Sequence, residues 1–398
     1  MVRLGRYYLY QATASATFFA PIFFVYYRLR VGLDDATILW TQSYFLAVRA
    51  VLDVPLGALA DRHSRRLCLV AGAIGQGVAA SALILAPAAA TVWIAETIFA
   101  ISAALKSGAD SAFLFDALKA GDALDRYARA ESRGQAVIAL SNGAAAVLGG
   151  VLAAVDLRLP YVATLLSATA AGVASSLAFG REHLGHAPRD TARRLVGDGA
   201  RLAARTPAVR WVLCLSAFAV TASHLFYYLQ QPYLAAVGVP LAMFGVVVAG
   251  IKIVTASVAN AAHRIDDRLG PRGTTTAMTT TSALGLAGMG LASGPVGASW
   301  LLSRGVLDGL WQPLVNVYMN RLVDSRLRAT MLSLAGVSAR LTLAAGVALL
   351  GVGLRHLGLH WTLGVAAAAA AVAGTVLVLA ASSTSRLPAR DRVIATGA

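Results

Sequence analysis

"LGALADRHSRRL", Leu56 to Leu67, crowds four charges (Asp61, Arg62, Arg65 and Arg66) and a histidine between two long apolar runs. In this chain 58% of residues are hydrophobic and only 13% are charged, so charge gathered at one junction calls for a reason. The charged share is about half that of a soluble globular protein. A mean hydropathy of +0.67 over 398 residues points to a chain that crosses a bilayer many times. The junction then reads as a polar loop between two membrane spans.

On either side of that loop, about 20 mostly apolar residues make one span. Twelve spans are expected, at residues 7–27, 36–58, 67–86, 91–117, 134–155, 160–179, 211–229, 241–262, 275–294, 300–319, 329–354 and 361–381. Two connections, "APAAAT" (Ala86 to Thr91) and "ASGPVGAS" (Ala292 to Ser299), carry no charge, whereas others are loaded with arginine. With the N-terminus in the cytoplasm, 25 of the 34 Lys and Arg fall in inner connections and termini. Four fall in outer connections (Arg28, Arg30, Arg158 and Arg355) and five within spans. Every inner loop thus obeys the positive-inside rule, which a wrong span count would scramble. The expected protein is all-α and polytopic, with both termini cytoplasmic. The same short clusters argue against a nucleic-acid partner despite a formal charge of +15. Arginine outnumbers lysine 31 to 3, which we read as GC-rich coding rather than chemistry. Cys68 and Cys214 are too few for a disulfide framework. The first apolar run is long enough to span and no small-residue cleavage site follows it, so no cleavable signal peptide is expected.

The longest connection, 180–210, is polar. Its stretch "RDTARRLVGDGARLAARTPAVR" reads as a short amphipathic helix at the membrane surface. It divides the chain into an N-terminal six-helix bundle (1–180), a cytoplasmic linker (181–210) and a C-terminal six-helix bundle with a short tail (211–398). The halves repeat each other weakly. "HRIDDRLGPR", His263 to Arg272, lies over "GALADRHSRR", Gly57 to Arg66, with Asp267-Arg268 on Asp61-Arg62. "RAE" at Arg129 and "RAT" at Arg328 open the fifth and eleventh spans. Duplicated halves are a common construction among transporters.

Spans 3, 6, 9 and 12 contain no Asp, Glu, Lys, Arg or His. The others hold Arg49, Asp53, Glu96, Lys106, Asp110, His224, Lys252, Arg304, Asp308 and Arg340. Charge in a bilayer is costly, so these groups face a protein interior or a wet cavity. Arg49–Asp53, Lys106–Asp110 and Arg304–Asp308 each set a base four residues before an acid, on one helix face. Such pairs either alternate between ion pairing and carrying a proton or simply neutralise buried charge. Both readings stand for Lys106–Asp110 and Arg304–Asp308, while Arg49–Asp53 reads as structural or gating. On the seventh span His224 is followed by Tyr227, Tyr228, Gln230 and Gln231. These, with Trp311 on the tenth span, suit either an apolar pocket with few polar anchors or a packing stripe. Phe18, Phe19, Phe23 and Phe24 read as packing. The three pairs leave Lys252 and Arg340 against Glu96 alone, which lies far from both. The substrate, or one end of it, is therefore expected to be negatively charged, unless a backbone carbonyl or water satisfies these bases. "HLGLH" (His356 to His360) has no Cys, Asp or Glu beside it, and loop histidines such as those of "HLGH" (His183 to His186) are common, so no metal site is expected. No P-loop, nucleophile elbow or metallopeptidase motif is present, so an enzyme is not expected.

The opening stretch resembles the loop 2–3 signature of the major facilitator superfamily, G-x-L-A-D-R-x-G-R-R. Gly57, Leu59, Ala60, Asp61, Arg62, Arg65 and Arg66 match it, and Ser64 replaces a glycine. "LKSGADSAFLFDAL", Leu105 to Leu118, looks like the fourth helix of bacterial efflux-type members of that superfamily. In the fifth span, "SNGAAAVLGG" keeps Gly149 and Gly150 but departs from the antiporter pattern at Ser141, Ala145 and Ala146. The resemblance implies a two-bundle fold of twelve spans and a gating role for Gly57, Asp61, Arg62, Arg65 and Arg66. In it Asp61 sits at the N-terminus of the eleventh span and Arg65 pairs with Asp116. It also implies that spans 1, 4, 7 and 10 line the cavity. The expected function is secondary transport by alternating access, with proton coupling through Asp110, Lys106, Asp308 and Arg304. Substrate contacts are expected from His224, Tyr227, Tyr228, Gln231, Lys252, Trp311 and Arg340. The leading version is export of a small amphipathic compound. The alternatives are import of an organic anion or other metabolite by symport or facilitated diffusion, and a non-transporting sensor or scaffold. Expected partners are a small-molecule substrate, protons and the lipid bilayer, with no cofactor, metal or nucleic acid. The chain is expected to act as a monomer in a bacterial inner membrane.

Overall fold

The computed structural model describes residues 4–62, 64–107, 109–110, 114–115, 118, 126–178 and 189–381. For Val54, Ala58, Asp61, Arg62, Ala128, Ala178, residues 189–196, Ser325, Arg326 and Ala329 it describes the backbone alone. Among these residues all regular structure is helical. Seven helices are long and apolar enough to cross a membrane by length and composition. Two of the seven runs contain a break. Gly270 (φ 66°, ψ 173°) interrupts Phe244–Leu291, and Gly358 (φ 73°, ψ 175°) interrupts Ser325–Ala381. Positive φ is cheap only for glycine, and Pro271 after Gly270 supplies the fixed φ of a first helical turn.

The chain divides into two compact units: Met1–Ala187 with Leu234–Ala249, and Pro188–Tyr233 with Gly250–Ala398. In the first unit, the expected continuous span over 7–27 is not continuous. Leu4–Ser15 is α-helical, residues 16–22 form turns, Phe23–Tyr26 is a single helical turn and Tyr27–Val31 is a π-turn closed by left-handed Gly32. The sequence there, "ATFFAPIFF", places Pro21 where a helix would need its N–H, and the residue before a proline disfavours α geometry. A broken helix leaves backbone groups that a membrane interior cannot hydrate. Here hydroxyls from other helices take that role. Ser141 Oγ donates to the Ala12 carbonyl at 2.5 Å, and Ser167 Oγ donates to that of Thr13 at 2.8 Å. The Phe18 N–H donates to Thr164 Oγ1 at 3.0 Å. Gly149 abuts the Phe18 carbonyl so closely that no Cβ fits between them. Phe23 and Phe24 are buried, and Phe19 stacks on Tyr161 at 4.8 Å, so these aromatics serve packing.

The charged junction around Asp61 to Arg66 lies between helix Asp35–Arg62 and helix Arg65–Leu85. Ser64 caps the second helix: its backbone is extended (φ −173°, ψ 123°) and its hydroxyl accepts from the Leu67 N–H at 3.2 Å. Extended backbone needs no glycine. Serine adds instead a capping bond of a kind whose loss costs about 1 kcal/mol.

In the second unit the polar connection forms helix Arg189–Arg205. Its Gly199 packs against Met331 and Leu334 near the start of Ser325–Ala381. The remaining long elements are Pro207–Ala236 as far as Tyr233, the post-Ala249 part of Phe244–Leu291, and Leu302–Leu322, which follows a 3-10 segment, Pro295–Leu301.

Candidate functional site

In the second unit, polar side chains from three helices meet within apolar surroundings. Pro207–Ala236 brings Ser223, His224, Tyr227 and Gln230, Leu302–Leu322 brings Arg304 and Asp308, and Phe244–Leu291 brings Lys252. Arg304 and Asp308 form the expected one-turn ion pair, Nε to Oδ2 3.6 Å, with side chains only 9% and 15% exposed. Arg304 also donates to Gln230 Oε1 at 3.3 Å and lies over the Tyr227 ring, 5.0 Å from its centroid. Asp308 accepts from Ser223 Oγ at 2.5 Å through its other oxygen. The pair is thus held by a hydrogen bond, a cation–π contact and a hydroxyl, all from one facing helix. His224 Nδ1 lies 2.8 Å from the Val220 carbonyl. A carbonyl only accepts, so Nδ1 carries a hydrogen. Nε2 is therefore left as an acceptor in the neutral ring and as a donor in the charged one. Lys252 is exposed, with no hydrogen bond or ion pair among the described residues. Arg304 and Asp308 are its electrostatic neighbours, and His224 senses all three. Around one carboxylate, then, stand two cations and an imidazole.

Other expected members fall nearby or elsewhere. Tyr228 and Gln231 are buried in the packing, at 4% and 1% exposure. Trp311 is half-buried two turns beyond Arg304 on its helix. Arg340 is half-buried on Ser325–Ala381 and engaged in contacts of its own, so the case for a cation awaiting a partner narrows to Lys252.

In the first unit, Arg49 and Asp53 pair at 3.8 Å as expected. Lys106 and Asp110 do not share one continuous helix face, because helix Ala89–Lys106 ends at Lys106 and Ser107 is non-helical (φ −62°, ψ 110°). Their bonds diverge. Lys106 Nζ donates to Gln76 Oε1 at 2.6 Å, while Asp110 Oδ2 accepts from Gln11 Nε2 at 2.8 Å. Gln11 also donates to Tyr7 Oη at 2.8 Å, and Tyr7 donates to Glu131 at 3.4 Å. A polar chain thereby ties the first helix to Asp110 and to helix Tyr127–Val155. Gln11, Tyr7 and Gln76 are absent from the sequence reading. They are uncharged, and only their partners mark them.

Of the loop residues, Gly57 lies in helix Asp35–Arg62 with nothing within 4 Å of where a Cβ would sit. Arg65 and Arg66 are half-buried in the first turn of Arg65–Leu85. The side chains of Asp61 and Arg62, and the whole of Asp116, His183 and His186, lie outside the described residues.

The family model of the Major Facilitator Superfamily matches residues 10–347. This chain belongs to that superfamily. No curated protein matches it in sequence. Solved structures of other superfamily-type transporters share its fold. A POT family transporter in complex with a thioalcohol-conjugated peptide is 14% identical over 96% of both chains, with a TM-score of 0.72. The nucleoside transporter NupG is 12% identical over 95% of this chain and 97% of that one, with a TM-score of 0.70. A bacterial homologue of the human lysosomal transporter Spinster, inward-facing and unoccupied, is 14% identical over 95% of each, with a TM-score of 0.71. A superfamily member of this kind is a multi-pass membrane transporter for small molecules.

Proposed function

We propose that this superfamily member is a secondary transporter with twelve spans in two six-helix bundles, working by alternating access. Its driving force is a proton gradient, and its cargo is a small amphipathic organic compound with an acidic group, moved outward across a bacterial inner membrane. The observation that carries the reading is the Arg304–Asp308 pair: charges this costly within a membrane span, braced by Ser223, Gln230 and Tyr227 and adjoined by His224 and Lys252. A scaffold has no use for them. The surplus of positive charge there matches a carboxylate or phosphate on the cargo. It supports equally a second reading, import of an organic anion by symport. Gly57, Asp61, Arg62, Arg65 and Arg66, with Asp116, are proposed as the cytoplasmic latch between halves, and Asp110 as a coupling acid.

The test is ligand stabilisation of the purified protein by a series of organic anions and their neutral isosteres. Anions should raise the melting temperature and their isosteres should not. Equal stabilisation by both series removes the acidic cargo. The direction of counterflow in proteoliposomes of known orientation then separates export from import.

A further inference from the structure

Glu96 is the one spanning acid for which the sequence suggests no role. It lies seven residues into helix Ala89–Lys106, about 10 Å from its start at 1.5 Å per residue, and is 5% exposed. Two side chains from two other elements converge on one of its oxygens. Tyr27 Oη donates to Oε1 at 2.9 Å, and Gln42 Nε2 donates to the same oxygen at 2.6 Å. Tyr27 and Gln42 are themselves buried, at 0% and 8% exposure.

Among the described residues no cation takes part. Of the charged groups on the elements packed around it, Arg28 pairs with Asp35 at 3.5 Å, Arg30 with Asp156 at 3.7 Å and Arg49 with Asp53 at 3.8 Å. Asp34 accepts from Thr37 at its own helix start. Arg65 and Arg66 sit at the far end of helix Arg65–Leu85, and Lys106 lies ten residues along Glu96's own helix, bonded to Gln76. Tyr161, from Leu159–Ala178, reaches the cluster through Tyr27. The groups that face Glu96 among the described residues are thus a phenol and an amide, with a second phenol behind the first. Asp53 and Asp308, by contrast, each have an arginine one turn away on their own helix.

The backbone around the cluster is irregular. Tyr27 opens the π-turn Tyr27–Val31, which follows the broken stretch of the first span and ends at left-handed Gly32. π-turns occur frequently at functional sites. Tyr27 and Gln42 ride on separate elements, the π-turn and helix Asp35–Arg62, so a shift of either alters the donors to Oε1 without any change in Glu96 itself.

We propose that Glu96 is a proton-binding site of the first unit, its proton carried on Oε2 while Tyr27 and Gln42 hold Oε1. The exchange is one proton onto and off the carboxyl, with no other bond changed. The reading of the chain as a proton-driven transporter bears only on what that proton is used for, since the site itself stands on the cluster's geometry.

The test is infrared difference spectroscopy of the full-length protein in lipid, without substrate, titrated across pH in H2O and D2O. Wild type should show a carboxylic-acid C=O band that is lost in Glu96→Gln. In Tyr27→Phe, which keeps the acid but removes one donor to its carbonyl oxygen, the same band should move to higher wavenumber. If Glu96→Gln does not fold, the Tyr27→Phe shift decides alone. Survival of every wild-type acid band in Glu96→Gln, or an unmoved spectrum in Tyr27→Phe, overturns the proposal. Failure to move any substrate along a pH gradient would count against the transport reading and leave this band where it is.

Discussion

Arg304 and Asp308 set the sharpest question at the residue scale, whether a buried pair serves structure or coupling. Removing one partner from such a pair strands a charge and costs about 3–5 kcal/mol, whereas neutralising both is far milder. Arg304→Gln alone should therefore lower the melting temperature markedly, and Arg304→Gln with Asp308→Asn should restore most of it. If the pair couples transport, the restored double variant stays inactive in uphill transport. Recovered activity in that variant assigns the pair to structure. Asp110 allows a cleaner substitution. It accepts from Gln11 Nε2 at 2.8 Å, and an asparagine carbonyl accepts the same bond while losing the charge. Asp110→Asn should abolish accumulation against a gradient and spare downhill exchange. A variant that still concentrates substrate removes Asp110 from the coupling path.

At the scale of elements, the first span carries the most testable local design. Gly149 faces the Phe18 carbonyl with no room for a side chain. Gly149→Val should force the turn segment away and destabilise the protein by about 1–3 kcal/mol, the usual cost of overpacking, read as a fall in melting temperature. An unchanged melting temperature would mean the segment yields freely. The loop 2–3 latch is a prediction of the same scale. Asp61→Asn removes an anion proposed to sit at a helix N-terminus, an interaction of about 1 kcal/mol. It should slow transport about fivefold at normal expression, and wild-type rates would remove the latch. What the sequence shows and hides differs by element. The breaks at Gly270 and Gly358 fall in the connections 263–274 and 355–360 between expected spans, where the apolar runs lapse. The break at 16–22 is invisible to hydropathy, since its residues are as apolar as a helix and its bonding partners, Ser141, Thr164 and Ser167, lie far along the chain. Arg304–Asp308 is legible because one continuous helix carries both residues. Lys106–Asp110 has the same spacing and a different geometry, because the helix ends between them. The Glu96 cluster escapes any spacing rule, as its three members come from three elements.

For the whole molecule, two observations of unequal grain meet. Membership in the Major Facilitator Superfamily gives the class of protein, a membrane transporter. The charged clusters within each unit motivate the finer claim, that a proton gradient does the work. That claim is tested most directly in proteoliposomes holding the purified protein, supplied with the organic anion that stabilises it best, under an imposed pH gradient and again with the gradient collapsed by a protonophore. A proton-driven transporter accumulates the anion against its own gradient while the pH difference lasts, with proton flux in the compensating direction, and only equilibrates it once the difference is collapsed. Accumulation to the same level in both conditions, or no proton movement when the anion crosses, would contradict that claim.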